Sequence, residues 1–187
     1  MESPCLLATR SVVEKALSLL FSLTRSSNGD TLEPMTEAQQ EYAAFIDRLG
    51  LRHFSGKEFA LYADRTRGGV KNGVPPEGLW TNIIPTLLVI DEIRERAGSP
   101  VTITSAYRSP AYNRAVGGES ASFHMRNVAV DIQCATLSAS ALWKIAVGLR
   151  GKKFKLPGNG GDFLFKGGIG KYPSFVHVDT RGYNANW

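Results

Sequence analysis

The run Gly98-Ser99-Pro100 divides the chain into two hydrophobic regimes, and a fold with a single period accommodates only one of them. Before it, apolar Leu79, Ile83, Leu87 and Ile90 fall on one stripe of a helix expected over 79–96, with Asp91, Glu92, Arg94 and Glu95 crowding its end. After it, Val101-Thr102-Ile103-Thr104-Ser105 alternates with the period of two that belongs to a strand. Residues 128–132 and 175–180 alternate in the same way, and between them lie a helical pattern near 138–149 and a glycine-rich stretch, Gly158 to Gly170, suited to a hairpin. Upstream, Thr36 can cap a helix running through Ala43, Ala44 and Ile46 to Leu49, with Gly50 as its stop. Ser55 with Glu58 three residues on forms a capping box for a second helix. Residues 64–78, rich in glycine, proline and the cations Arg65, Arg67 and Lys71, read as a basic loop that either tracks an acidic glycan or is simply solvated. Helices placed ahead of closely spaced strands predict an α+β domain: a mostly antiparallel central sheet with helices packed on it, not a doubly wound fold.

A chain of 187 residues, 43% of them hydrophobic, supports one self-sufficient core. That domain is expected over 36–187, with residues 1–35 as an appendage: a helix over 11–24 and the polar linker Arg25-Ser26-Ser27-Asn28-Gly29-Asp30. Cys5 and Cys134 lie far apart in a chain that needs no staple and read as free thiols. On the strand that ends near it, Cys134 is expected to be buried and inert. The formal net charge of +5 favours polyanions such as nucleic acid, an anionic membrane or an acidic cell wall, without choosing among them. No aromatic-basic motif of a nucleic-acid reader accompanies it, so nucleic acid is not expected. The apolar stretch Ala16 to Leu23 is far shorter than the roughly 20 residues a membrane span needs. Acidic Glu14 just upstream makes it a poor signal peptide, and an amphipathic helix is the preferred reading, with export by another route left open. A monomer without stable membrane insertion is expected.

The chemistry-bearing residues sit in the second half. Of the three histidines, His53 precedes a helix start and reads as structural or surface. His124 is followed seven residues later by Asp131, and a fully extended segment of that length spans roughly 23 Å. Two ligands of one zinc lie within roughly 3–4 Å of each other, so the chain must reverse between them. Arg126-Asn127 is where it can, because asparagine tolerates the left-handed conformation. On the strand that follows, Val128, Val130 and Ile132 point to the core, while Ala129 and Asp131 point away from it. In the last strand Val176 and Val178 alternate with Phe175, His177 and Asp179 in the same manner. Two histidines and an aspartate on valine-backed strands make the three-ligand set of a catalytic zinc (Zn2+) with one open position.

Several separated motifs in order resemble the zinc D-alanyl-D-alanine carboxypeptidase and murein endopeptidase family. Ser105-Ala106-Tyr107-Arg108-Ser109-Pro110, Tyr112-Asn113, Gly117-Gly118 and Ser122-Phe123-His124 carry the first part, and Gly167 to Pro173, Phe175 to Gly182 and Trp187 the second. The resemblance covers roughly 53–187 and its later motifs are similar to a branch of bacterial murein endopeptidases and phage-associated lysins. It implies the hedgehog/D-Ala-D-Ala peptidase fold, zinc held by His124, Asp131 and His177, and hydrolysis of peptidoglycan stem peptides or cross-links at the bacterial cell wall, in the periplasm or outside the cell. It places Arg108 near the scissile bond, where a cation would stabilise the developing oxyanion; from the residues alone a structural salt bridge serves equally well. Tyr107 and Ser122 come with the same motifs as substrate-binding residues. Two departures stand out. Asn127 replaces the usual glycine, and Ser174 stands where many members carry an acid three residues before the last histidine. Asp179 is the nearest remaining acid, with two readings: general base, or partner orienting His177. The missing acid keeps one rival open, a catalytically inactive zinc-containing module that binds the wall or serves a structural role.

Overall fold

The computed structural model describes residues 34–187; the helix expected over 11–24, the linker after it and Cys5 lie outside the described residues. The first helix of the described residues, α1 (Glu37–Asp47), opens on Thr36 in a capping box with Gln39, whose side chain accepts the Thr36 N–H at 2.7 Å. Gly50 follows its end in the left-handed region, at φ 65°. Helix α2 (Gly56–Ala60) starts where Glu58 accepts the Ser55 N–H at 2.8 Å. It rests on α1 backbone to backbone: a Cβ on Gly56 would lie 2.0 Å from the Ala43 carbonyl oxygen.

The helix expected over 79–96 is two pieces. Residues Glu77–Ile83 wind as 3-10 turns, and the α-helix proper, α3 (Ile84–Ala97), begins only there. Pro85 explains the break, since it has no N–H to bond back into the preceding turn and is accommodated only in the first turn of an α-helix. Between α2 and these turns the basic segment carries a short hairpin, β1 (Thr66–Arg67) with β2 (Val70–Lys71). A short α4 (Pro110–Ala115), capped by Ser109, and α5 (Ala139–Gly148), capped by Ser138, complete the α-helices of the described residues.

The architecture is α+β around a mixed sheet of five strands. Strands β3 (Val101–Ser105), β4 (Ala129–Cys134), β7 (Gly168–Lys171), β8 (Val176–Asp179) and β9 (Ala185–Asn186) lie in the order β3-β4-β8-β7-β9. Neighbours run antiparallel as far as β7, and β7 with β9 runs parallel. A separate hairpin pairs β5 (Lys153–Lys155) with β6 (Asp162–Leu164). One sheet face is apolar: Val130, Ile132, Ile169, Val176 and Val178 are fully buried, with Leu87 and Ile90 of α3 and Leu142 and Ala146 of α5 in the same core cluster.

The other face carries a row of polar and small residues set by the register. Ser105 pairs with Asp131, Asp131 with His177, and His177 with Gly170, so four neighbouring strands contribute one position each. Two expectations need correcting here. Cys134 is only half-buried at the end of β4, its sulfur 3.6 Å from the Thr136 hydroxyl, because the strand runs out of cover where β8 stops pairing with it. The glycine-rich stretch 158–170 holds a hairpin only in its first part, where Gly158 to Gly161 connect β5 to β6; Gly168 and Gly170 lie in β7, and close packing excludes side chains at its start, since a Cβ on Gly167 would sit 1.9 Å from the Asp179 carbonyl oxygen.

Candidate metal centre

His124 reaches the centre from a single 3-10 turn, Phe123–Arg126, that closes on Asn127 at φ 54° and ψ 43°. This is the one non-glycine residue with positive φ among the described residues, and its side chain adds a tie that glycine lacks, donating to the Leu79 carbonyl at 3.0 Å. The chain then turns into β4 and brings Asp131 back beneath His124. His177 arrives directly opposite Asp131 on β8.

Hydrogen bonds on the far side of each ring fix which nitrogen faces inward. His124 Nδ1 lies 2.7 Å from the Ala106 carbonyl oxygen, which can only accept, so the ring donates there and turns Nε2 to the centre. His177 Nε2 donates to the Asp179 carboxylate at 2.9 Å and turns Nδ1 inward. Asp131 Oδ1 then lies 2.8 Å from His177 Nδ1 and 3.2 Å from His124 Nε2, with 3.2 Å between the two nitrogens. Four ligands at zinc's usual bond lengths would stand about 3.3 Å apart. With both rings neutral, three lone pairs converge on one point, an arrangement that a cation stabilises and that repels itself without one. The donor set and its spacing therefore fit a metal ion. Both rings and the carboxylate are buried, yet all three line a cleft of about 710 Å³.

Comparison with protein-family models matches residues 52–179 to the peptidase M15 family. The chain belongs to this family. Comparison with curated proteins finds no match.

Within this M15 peptidase domain, the electrostatics follow from burial and pairing. Burial pushes the His124 imidazolium down and outweighs the nearby Asp131. For His177 the balance is reversed: burial lowers it, but its bonds to Asp131 and Asp179 outweigh that and raise it. Burial pushes the Asp131 and Asp179 carboxyls up, while their histidine partners, joined at Asp179 by Arg181 and the Gly168 N–H, hold both below the ordinary range.

Arg108 stands on the other side of Asp131. Its Nη2 donates to Asp131 Oδ2 at 2.8 Å and its Nε to the Ser105 hydroxyl at 2.9 Å, and it lines the cleft. Ser122 lines the cleft as well. Tyr107 does not: it is 7% exposed, and its backbone carbonyl accepts from Asn72. The turn that delivers Ala106 to His124 and Arg108 to Asp131 leaves Tyr107 between them facing inward. Ser174 is exposed and borders a second cavity of about 380 Å³ that shares Arg108, Asp131, Val116 and Phe175 with the cleft, so the space continues past the centre. His53 stands apart from the centre, 2.6 Å from Glu95.

Asp179 is fully buried behind His177. Its oxygens accept from His177, from the Gly168 N–H at 2.9 Å and from the backbone N–H and guanidinium of Arg181. Sequence reasoning assigned no role to Arg181, although its position two residues after Asp179 was the available signal. The Ala106 carbonyl leaves no trace in residue type at all.

Proposed function

We propose that the chain is a zinc-dependent peptidase that hydrolyses peptide bonds in peptidoglycan stem peptides or their cross-links, on the hedgehog/D-Ala-D-Ala peptidase fold, acting at the bacterial cell wall. The observation that carries this reading is the convergence of His124 Nε2, Asp131 Oδ1 and His177 Nδ1 within 3.2 Å of one another at the side of an open cleft, in a chain of the M15 family. These three atoms would hold the zinc. A bound zinc supplies Lewis acidity toward the scissile carbonyl and toward water. The remaining work belongs to the chain. Arg108, pinned through Nε and Nη2, keeps Nη1 uncommitted among the described residues and offers it where negative charge develops on the carbonyl oxygen. Asp179 holds His177 in the tautomer that frees Nδ1. Ser122, at the edge of the cleft, is assigned to substrate binding.

Elemental analysis is expected to find one zinc per chain, lost in His124→Ala and His177→Ala. Incubation with purified peptidoglycan is expected to release peptide fragments, identified by mass spectrometry, that the two variants do not release. A zinc-loaded wild-type protein that binds the wall but releases nothing would instead support the inactive module. Two observations favour that rival: Ser174 offers no carboxylate, and Asp179 is fully buried behind His177.

A further inference from the structure

Arg181 is more elaborately placed than a counter-ion for Asp179 needs to be. Its Nε donates to Asp179 Oδ1 at 2.9 Å and its Nη2 to Oδ2. Its guanidinium carbon lies 4.3 Å from the centroid of the Phe123 ring and 4.9 Å from that of Trp187, so aromatic faces hold the plane of the cation. Gly168 makes the space: a Cβ there would lie 2.6 Å from Nη2 and 2.7 Å from the guanidinium carbon. Trp187 is seated in turn, its indole over Gly170 and its Nε1 donating to the Tyr172 hydroxyl at 2.9 Å. Two of the three guanidinium nitrogens are thus committed to Asp179, and Nη1 has no hydrogen bond among the described residues, with the exposed Tyr183, its ring centroid 5.7 Å from the guanidinium carbon, as a further neighbour of the cation. The side chain is 13% exposed and lines the same cleft as His177.

A lysine would neutralise Asp179 without this apparatus. A planar cation clamped by a carboxylate and flanked by aromatic rings, with Nη1 left over beside the metal ligands, is an arrangement that recognises a carboxylate with directional hydrogen bonds. We propose that Arg181 binds a carboxylate of the substrate close to the scissile bond and so selects which peptides the cleft accepts; this rests on the peptidase reading of the cleft given above. Two groups in stem peptides have that chemistry: the free terminal carboxylate of a D-alanine, and the side-chain carboxylate of a cross-linking diamino acid. The first would make the protein a carboxypeptidase, the second an endopeptidase.

Affinity of the zinc-loaded full chain, measured by calorimetry, separates the sources. One pair of probes is a blocked peptide ending in D-Ala-D-Ala as the free acid and as the terminal amide. The other is a peptide blocked at both ends with diaminopimelate or lysine at the cross-linking position. The carboxylate member of one pair is expected to bind about 10- to 100-fold tighter, the usual effect of a hydrogen bond to a charged group. In Arg181→Gln that gap should fall to about twofold at unchanged zinc content. Trp187→Ala removes a half-exposed ring beside the guanidinium that makes no hydrogen bond to Asp179, and should narrow the gap in weaker form, which covers an Arg181→Gln protein that does not fold; because that ring also lies 5.3 Å from the His177 ring, zinc content is measured on this variant too. Equal affinities within both pairs, or a gap that survives these substitutions, overturns the assignment. Cleavage of the probes is scored separately: a gap without cleavage counts against the peptidase reading and leaves the carboxylate site standing, and cleavage without a gap does the reverse.

Discussion

Asp179 has no lone pair left for the cleft, which sets what its removal should do. Asp179→Asn is expected to weaken zinc binding by about 10- to 100-fold, with activity restored by added zinc, because the loss falls on the orientation of His177. A variant with wild-type zinc affinity and turnover reduced at saturating zinc would return Asp179 to the role of base. Arg108 serves a buried carboxylate and the cleft at once. Arg108→Ala should cut turnover by about 10²–10³ and also cost the metal-free protein about 1–3 kcal/mol in urea denaturation, since Asp131 loses a charged partner at 2.8 Å. Asn127 separates backbone from side chain. Asn127→Gly keeps the left-handed turn and loses the bond to Leu79, a loss of about 1 kcal/mol. Asn127→Ala loses the bond and adds roughly 1 kcal/mol of backbone strain, so its melting temperature should lie below that of the glycine variant.

At the scale of elements, β7 is the test of how close packing positions the centre. Gly167→Ala forces a methyl group against the Asp179 carbonyl and should push β7 away from β8, lowering thermal stability by about 2 kcal/mol or more and loosening Asp179, which the neighbouring Gly168 N–H holds. This strand is also where the sequence was least legible. Strands β3, β4 and β8 announce themselves through β-branched alternation, and Asp131 and His177 were visible because polar positions interrupt that alternation at fixed parity; His124, which the structure puts on a 3-10 turn and not on a strand, stood out by its spacing to Asp131 and by the family motif. In β7 the alternation is erased: Gly168-Ile169-Gly170-Lys171 has one apolar side chain, and its place in the sheet is decided by what fits against Asp179 and Trp187. The broken helix before α3 was legible in Pro85 and was read through. The partners of the centre were not legible, since a backbone carbonyl at Ala106 and a cross-strand neighbour at Ser105 depend on register and not on residue type.

At the scale of the molecule, Glu92 ties distant segments together. On α3 it accepts from Arg96 on the same helix, from Arg52 in the connection between α1 and α2, and from Lys152 just before β5. Burial alone would raise its carboxyl, but the three cations outweigh it and bring it from 4.5 to about 2. A depressed folded-state value means that the contribution to stability is fully present above about pH 4.5 and is lost as the pH falls through about 2. Thermal melts of wild type and Glu92→Gln should therefore differ at pH 6 and converge between pH 4.5 and 2; a constant difference would show that the charge of Glu92 is not what matters. No helix among the described residues is long and apolar enough to cross a membrane. The row of residues across the sheet also acts as a clock. Asp131 and His177 are 46 residues apart and meet only when β8 has docked on β4, so a partly folded chain presents scattered single ligands in place of a site. Metal uptake during refolding, followed with a coloured zinc indicator, should be no faster than sheet formation followed by circular dichroism. The ion then reports that the longest-range strand pairing among the described residues has been made, and, once in place, it slows that pairing's undoing.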